Sequence, residues 1–168
     1  MKIRPEQPGD QQQIRMINQQ AFAGDAEANL VEALRNSGIP LISLVAEENS
    51  QLIGHILFSP VTLAGQKNAP PIAGLAPMAV LPERQGQGVG SRLVTEGLEY
   101  CARAGYVAVA VLGHPDYYPR FGFVPASNFN IRSEYNVPDE VFMLKELLES
   151  ALRGIKGTIQ YHAKFKQE

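Results

Sequence analysis

The sequence predicts an α/β fold around a mixed sheet, on three observations. Apolar runs of strand length alternate along the chain with segments of helical spacing. Two of the runs, Ile42 to Glu47 and Leu52 to Ser59, are joined by Glu48-Asn49-Ser50-Gln51, the mark of an antiparallel hairpin. Further on, Ile72 to Val80, Val89 to Ala104 and Val107 to Leu112 read as strand, helix, strand, which implies a parallel crossover.

From the N-terminus, Ile3 and Arg4 before Pro5 predict a short first strand. Asp10 with Gln13 three residues on is a helix-capping pair, and Ile14, Ile17 and Ala21 recur at helical spacing behind it. Gly24-Asp25 interrupts, then Leu30, Val31 and Leu34 mark a second helix that ends at Gly38 before Pro40. After the hairpin, whose second strand Pro60 is expected to close, a polar loop around Gly65 to Pro71 leads into Ile72 to Val80. That run is too short and too marked by glycine and proline for a helix, so it is read as a central strand. Pro77 inside it cannot donate to a ladder, and the sheet is expected to come apart there.

Val94, Leu98 and Cys101 lie four and three residues apart on the third helix, for which Gly105 is the stop. Val107 to Leu112 is a continuous apolar strand of the kind buried on both faces, broken by Gly113. A Tyr- and Pro-rich segment with Phe121-Gly122-Phe123 follows, then an irregular stretch to Pro138, apolar Val141 to Leu144 and a final amphipathic region. Phe142, Leu144, Leu147, Leu148 and Ile159 in that last part either close the sheet or form a dimer face, so a monomer and a homodimer both stay open.

A chain of 168 residues has room for one domain with a real core, and residues 1–168 are read as one. An apolar share of 45% and a charged share of 19% are those of a soluble globular protein, and no run is long enough to cross a bilayer. Met1-Lys2-Ile3-Arg4-Pro5 lacks the apolar core of a secretory signal, and the single cysteine cannot form an intrachain disulfide, so the cytoplasm is expected. With a net charge of −2 and scattered Lys and Arg, the chain offers no basic stripe for nucleic acid.

The most informative run is Leu81-Pro82-Glu83-Arg84-Gln85-Gly86-Gln87-Gly88-Val89-Gly90-Ser91, which joins the central strand to the third helix almost without side-chain bulk. Glycines at alternate positions let backbone N–H groups turn toward one point, where the helix adds its positive N-terminal end; a pyrophosphate fits such a place. A Walker loop would need Lys and then Ser or Thr after its last glycine, but Gly90 is followed by Ser91 and Arg92. The dinucleotide fingerprint G-x-G-x-x-G also fails on the spacing of Gly86, Gly88 and Gly90.

What remains, Gln85-x-x-Gly88-x-Gly90, resembles the acetyl-CoA loop Q/R-x-x-G-x-G/A of the GNAT superfamily of N-acetyltransferases. The resemblance extends over roughly residues 3–125 through the order of elements and a second motif, Tyr118-Pro119-Arg120-Phe121-Gly122-Phe123, which is similar to the family's Y-x-x-x-G-F after the fifth strand. It implies a mostly antiparallel central sheet, splayed at a parallel pair formed by strands 4 and 5 and flanked by helices. It further implies direct transfer of an acetyl group from acetyl-CoA to a primary amine of a small molecule, peptide or protein, with no metal.

On this resemblance Met78, Ala79 and Val80 pair with the pantetheine arm, and the N–H of Met78 or Ala79 polarises the thioester carbonyl. Gln85, Gly86, Gln87, Gly88, Val89, Gly90 and Ser91 surround the pyrophosphate, with Arg84 either adding charge at the rim or standing solvated. Tyr118 protonates the departing thiolate or packs against Phe121 and Phe123. Loops Gly24 to Asn29, Gly65 to Pro71 and Asn128 to Asp139 shape the acceptor site.

The chain departs from the family in one respect: Ile72 to Leu81 contains no titratable side chain, although many members carry a glutamate on the fourth strand. Glu27 between the first two helices, His114 and Asp116 after the fifth strand, or a water chain are the alternatives for the base, with His55 and Glu47 behind them. Cys101 reads as a small core residue, which argues against a ping-pong mechanism. The missing carboxylate also leaves open a non-catalytic acyl-CoA-binding sensor or regulatory module, and the strand interior near Met78 and Leu112 a longer-chain acyltransferase.

Overall fold

A computed structural model describes residues 1–167. Its elements in chain order are β1 (Lys2–Pro5), α1 (Gln11–Phe22), α2 (Ala26–Asn36), β2 (Ile42–Glu48), β3 (Gln51–Ala64), β4 (Ile72–Val80), α3 (Val89–Arg103), β5 (Ala108–Leu112), β6 (Val124–Pro125), β7 (Ile131–Ser133), β8 (Phe142–Glu146) and β9 (Gly157–Gln160). The sheet runs β1-β2-β3-β4-β5-β8-β6, and β9 joins β3 to β7 off that path. The ladders β1–β2, β2–β3, β5–β8 and β6–β8 are antiparallel, and β4–β5 is parallel, as the crossover predicts. A second parallel pair, β7–β9, was not expected.

The chain divides into two compact units, one of Met1–Ser59, Ala76–Gly97 and the stretch from Ala163, the other of Pro60–Leu75 and Leu98–His162. Strands β3 and β4 and helix α3 each pass from one unit into the other. In the first unit the apolar stripes of α1 (Ile14, Ile17) and α2 (Leu30, Val31, Leu34) pack with Val45, Leu52, Leu57 and Ala79. In the second, Ala108, Val109 and Ala110 of β5 are fully buried, with Met143 and Leu144 of β8 beside them. A strand buried on both faces must be apolar throughout, which is why this run carries no alternation.

The parallel ladder between β4 and β5 is short: Ile72 to Leu75 pair with Ala108 to Val111, and the register stops there. Ala76, Pro77 and the remainder of β4 lie beyond it, where the missing N–H of proline predicts a break.

Three local expectations are corrected. Asp10 and Gln13 do not cap α1: Asp10 accepts the Gln7 N–H at 2.7 Å and pairs with Arg4 at 2.8 Å, while Gln13 accepts the Leu52 N–H at 3.1 Å. The Arg4 guanidinium and the Gln7 N–H between them occupy the Asp10 carboxylate, so its oxygens are turned away from the helix. Pro60 does not end β3, which runs on to Ala64. The β2 ladder ends at Phe58 and the β9 ladder begins at Thr62, so Pro60 falls between these two ladders. The apolar end region is β8 at Phe142–Glu146, not Val141 to Leu144, since Val141 ends a 3-10 turn.

Candidate functional site

The glycine loop leaves β4 through a 3-10 turn, Pro82–Arg84, and enters α3 at Val89. Gly86 and Gly88 have φ of +76° and +86°, the left-handed region that costs other residues about 1–2 kcal/mol. Beyond the chain neighbours, no heavy atom of the described residues lies within 4 Å of where a Cβ would stand on either glycine, so that side of the loop faces open space. The third glycine belongs elsewhere: Gly90 and Ser91 already lie in the first turn of α3.

The polar side chains of the loop are turned onto the protein itself. Gln85 Nε2 donates to the Val80 carbonyl at 3.0 Å, Arg84 Nε to Gln87 Oε1 at 3.0 Å, and Gln87 Nε2 to the Glu83 carbonyl at 3.3 Å. The Arg84 guanidinium also meets Glu48 at 2.8 Å. The Arg84 guanidinium, partly exposed, is thus held by Glu48 and Gln87.

What holds the helix end in position is Gly54 on β3. A Cβ there would stand 3.0 Å from both Leu93 Cδ1 and Val89 Cγ1 and 3.3 Å from the Ala79 carbonyl oxygen. Removing that carbon lets the first turns of α3 lie directly on the strand. Neither Gly54 nor Glu48 is legible as a site residue from sequence; a glycine interrupting the apolar strand is the available signal.

In the other unit, Tyr118 opens a 3-10 turn, Tyr118–Phe121, and is 7% exposed. Its N–H donates to the His114 carbonyl at 3.3 Å, and its ring sits edge-on to Tyr117 and Phe123 at centroid distances of 5.1 and 5.6 Å. Burial foremost, and then Tyr117, push the phenol up to about 12. The packing and donor readings of Tyr118 are thus compatible: the aromatic box fixes the ring, and the same burial moves the phenol further from ionisation.

The candidate bases differ in their surroundings. Glu27 is in the first turn of α2 and not in the link before it, His114 and Asp116 are exposed, and Glu47 pairs with Arg4 at 3.3 Å. His55 is fully buried: Ser43 Oγ gives its proton to Glu6 and accepts from His55 Nε2 at 2.9 Å, while Asn18 Nδ2 reaches Nδ1 at 3.4 Å. Burial, with Arg35 adding to it, lowers this imidazole to about 3. Cys101 is buried and its thiol is raised to about 12 by desolvation, as expected of a core residue. Among the described residues no group of three or more His, Cys, Asp or Glu could hold a metal ion, and no helix is long and apolar enough to cross a membrane.

Residues 2–126 match the family model for the acetyltransferase (GNAT) domain. The chain belongs to the GNAT family of N-acetyltransferases. It is 38% identical over 168 residues, 99% of either chain, to a protein of Escherichia coli K12 named as the uncharacterized N-acetyltransferase YhbS. A crystal structure of E. coli YhbS in complex with CoA superposes with a TM-score of 0.92, covering 98% of this chain and 91% of that one at 38% identity. A GNAT acetyltransferase from Brucella melitensis in complex with acetyl-CoA gives a TM-score of 0.80 at 36% identity, covering 98% and 97%. The GNAT fold, with its mixed sheet and parallel β4–β5 pair flanked by helices, is the one expected from the two motifs.

Proposed function

We propose that this chain transfers the acetyl group of acetyl-CoA directly to a primary amine of a small molecule, peptide or protein, acting in the cytoplasm. The observation that carries the reading is the Gly86–Gly88 loop: two left-handed glycines, no side chain over them, and the N-terminus of a 15-residue helix directly behind. Support comes from the full-length likeness to YhbS and to the Brucella enzyme, whose structures hold CoA and acetyl-CoA.

Acetyl-CoA supplies the acetyl group as a thioester. The loop N–H groups of residues 86–91 hold the pyrophosphate, and Met78, Ala79 and Val80, past the end of the β4–β5 ladder, offer backbone N–H and C=O groups to the pantetheine amides. The N–H of Met78 or Ala79 stabilises the oxyanion as the amine nitrogen attacks, a role worth roughly 3 kcal/mol in other enzymes. As the C–S bond breaks, Tyr118 Oη gives its proton to the sulfur. The proton lost by the amine goes to Glu27 or His114, since β4 carries no carboxylate.

That same absence on β4 favours the second reading, a non-catalytic acyl-CoA-binding regulator. Calorimetric titration with acetyl-CoA and free CoA, followed by an amine screen monitored by thiol release, tests both. Micromolar binding with thiol release supports the enzyme. Binding without release from any amine supports the regulator, and no binding by folded protein removes both.

A further inference from the structure

Residues 60–75 and 98–162 form an open cleft of about 680 Å3, lined in part by the segments Gly65 to Pro71 and Asn128 to Asp139 that the sequence reading gives to the acceptor side. One wall is the small ladder formed by the end of β3 with β9 and β7. Thr158 pairs with Ala64 on one side and with Arg132 on the other, and residues paired across strands point to the same face. Ala64, Thr158 and Arg132 therefore form one row across three strands. Ile131 and Ile159, alternate to that row, are 2% and 0% exposed, so the opposite face is the packed one. Lys156 lines the cleft just before β9, and Ser127 and Asn130 line it from the 3-10 turn Ala126–Phe129 and the residue after it.

The cleft carries charge of one sign in a chain whose net charge is −2. Arg132 and Lys156 are in no ion pair among the described residues, and no Asp or Glu lines the cleft. Two cations, two hydroxyls and an amide thus line a space in the size range of small-molecule sites.

We propose that this cleft binds a small molecule through a phosphate or carboxylate group. The planar Arg132 fork holds two oxygens of the anion, Lys156 adds a point charge, and Ser127, Thr158 and Asn130 donate to the oxygens that remain. The volume exceeds that of a bare anion, leaving room for an organic remainder over Ala64. This site shares no residue with the Gly86–Gly88 loop and stands whether or not the chain acetylates an amine.

Amide proton–nitrogen spectra of the full chain, titrated separately with inorganic phosphate and with succinate at constant ionic strength, test it, with chloride as reference. Saturable shifts are expected at Ser127, Asn130, Arg132, Lys156 and Thr158 with at least one probe, weakened at least tenfold in both R132Q and the R132A/K156A double variant. Both exchanges are at exposed side chains, and unchanged spectra elsewhere check the fold. Saturation by phosphate alone assigns a phosphate ester and by succinate alone a carboxylate. The proposal is overturned if neither probe saturates these amides, if chloride shifts them equally, or if folded variants bind as tightly as the native chain. Phosphate shifts confined to residues 86–91 overturn it too, because they report the other loop.

Discussion

Gly113 lies directly against the Tyr118 ring: a Cβ at Gly113 would stand 2.5 Å from Cε2 and 2.9 Å from Cδ2. The ring is walled on its other sides by Tyr117 and Phe123, so it cannot yield without leaving its box. Gly113→Ala should therefore lower kcat by displacing the proposed proton donor, while acetyl-CoA affinity stays within about twofold. Tyr118→Phe keeps the ring and removes the proton, and its kcat should fall by about a hundredfold, the usual worth of a positioned general acid. Steady-state kinetics with calorimetric Kd values checks both variants. Loss of affinity parallel to loss of kcat would make Tyr118 a packing residue only.

Gly88→Glu should abolish acetyl-CoA binding in titration calorimetry, since it brings a negative side chain to the place proposed for a pyrophosphate. With nothing within 4 Å of its Cβ, the penalty to the fold is the left-handed backbone alone, about 1–2 kcal/mol. Gly88→Ala bears the same backbone strain without the charge and should bind more weakly than the native chain but detectably.

Gly54→Val should act on the same loop from behind. Its branched side chain drives into Leu93, Val89 and the Ala79 carbonyl, an overpacking that costs roughly 1–3 kcal/mol and lifts the start of α3 from β3. A lower Tm with weakened acetyl-CoA binding is expected. An unchanged Kd at the lower Tm would show that the helix end is not held by this contact.

Buried His55 predicts a pH dependence of stability. Its folded pKa, about 3, lies below the ordinary value of 6.5, so between these limits the unfolded chain binds more protons than the folded one. Stability is then level above about pH 6.5 and declines as pH falls, by up to about 1.4 kcal/mol per pH unit. Asp10, held below its ordinary 3.8 chiefly by its hydrogen bond with Arg4, adds its own loss only at still lower pH. Urea unfolding at pH 7 and pH 5 isolates the histidine: His55→Gln should be less stable at pH 7 yet lose less between the two.

Elements whose signal is contained in their own residues were legible. β4 runs over Ile72–Val80 as read, because apolar composition and bounding loops define it, and α3 starts at Val89 directly after Gly88. The unread features depend on a partner distant in sequence. Pro60 reads as a stop unless it is known that one ladder ends before it and another begins after it. β9 is four residues, too short for alternation to declare itself, and exists because β3 and β7 flank it. In the site, the glycines announced their loop, whereas the Glu48 that balances Arg84 lies in the hairpin, with nothing nearby to link the two.

The family-matched stretch ends at residue 126, yet β5 takes its outer partner from Phe142–Glu146. Whatever else the last forty residues do, they shield an all-apolar edge from other molecules of the same protein. A chain cut after residue 126 would keep both signature motifs and bare the outer edge of Ala108 to Leu112, an invitation to intermolecular strand addition. Such a fragment should collect in the insoluble fraction, so the motifs that name this family and the residues that keep its member dispersed are different parts of the chain.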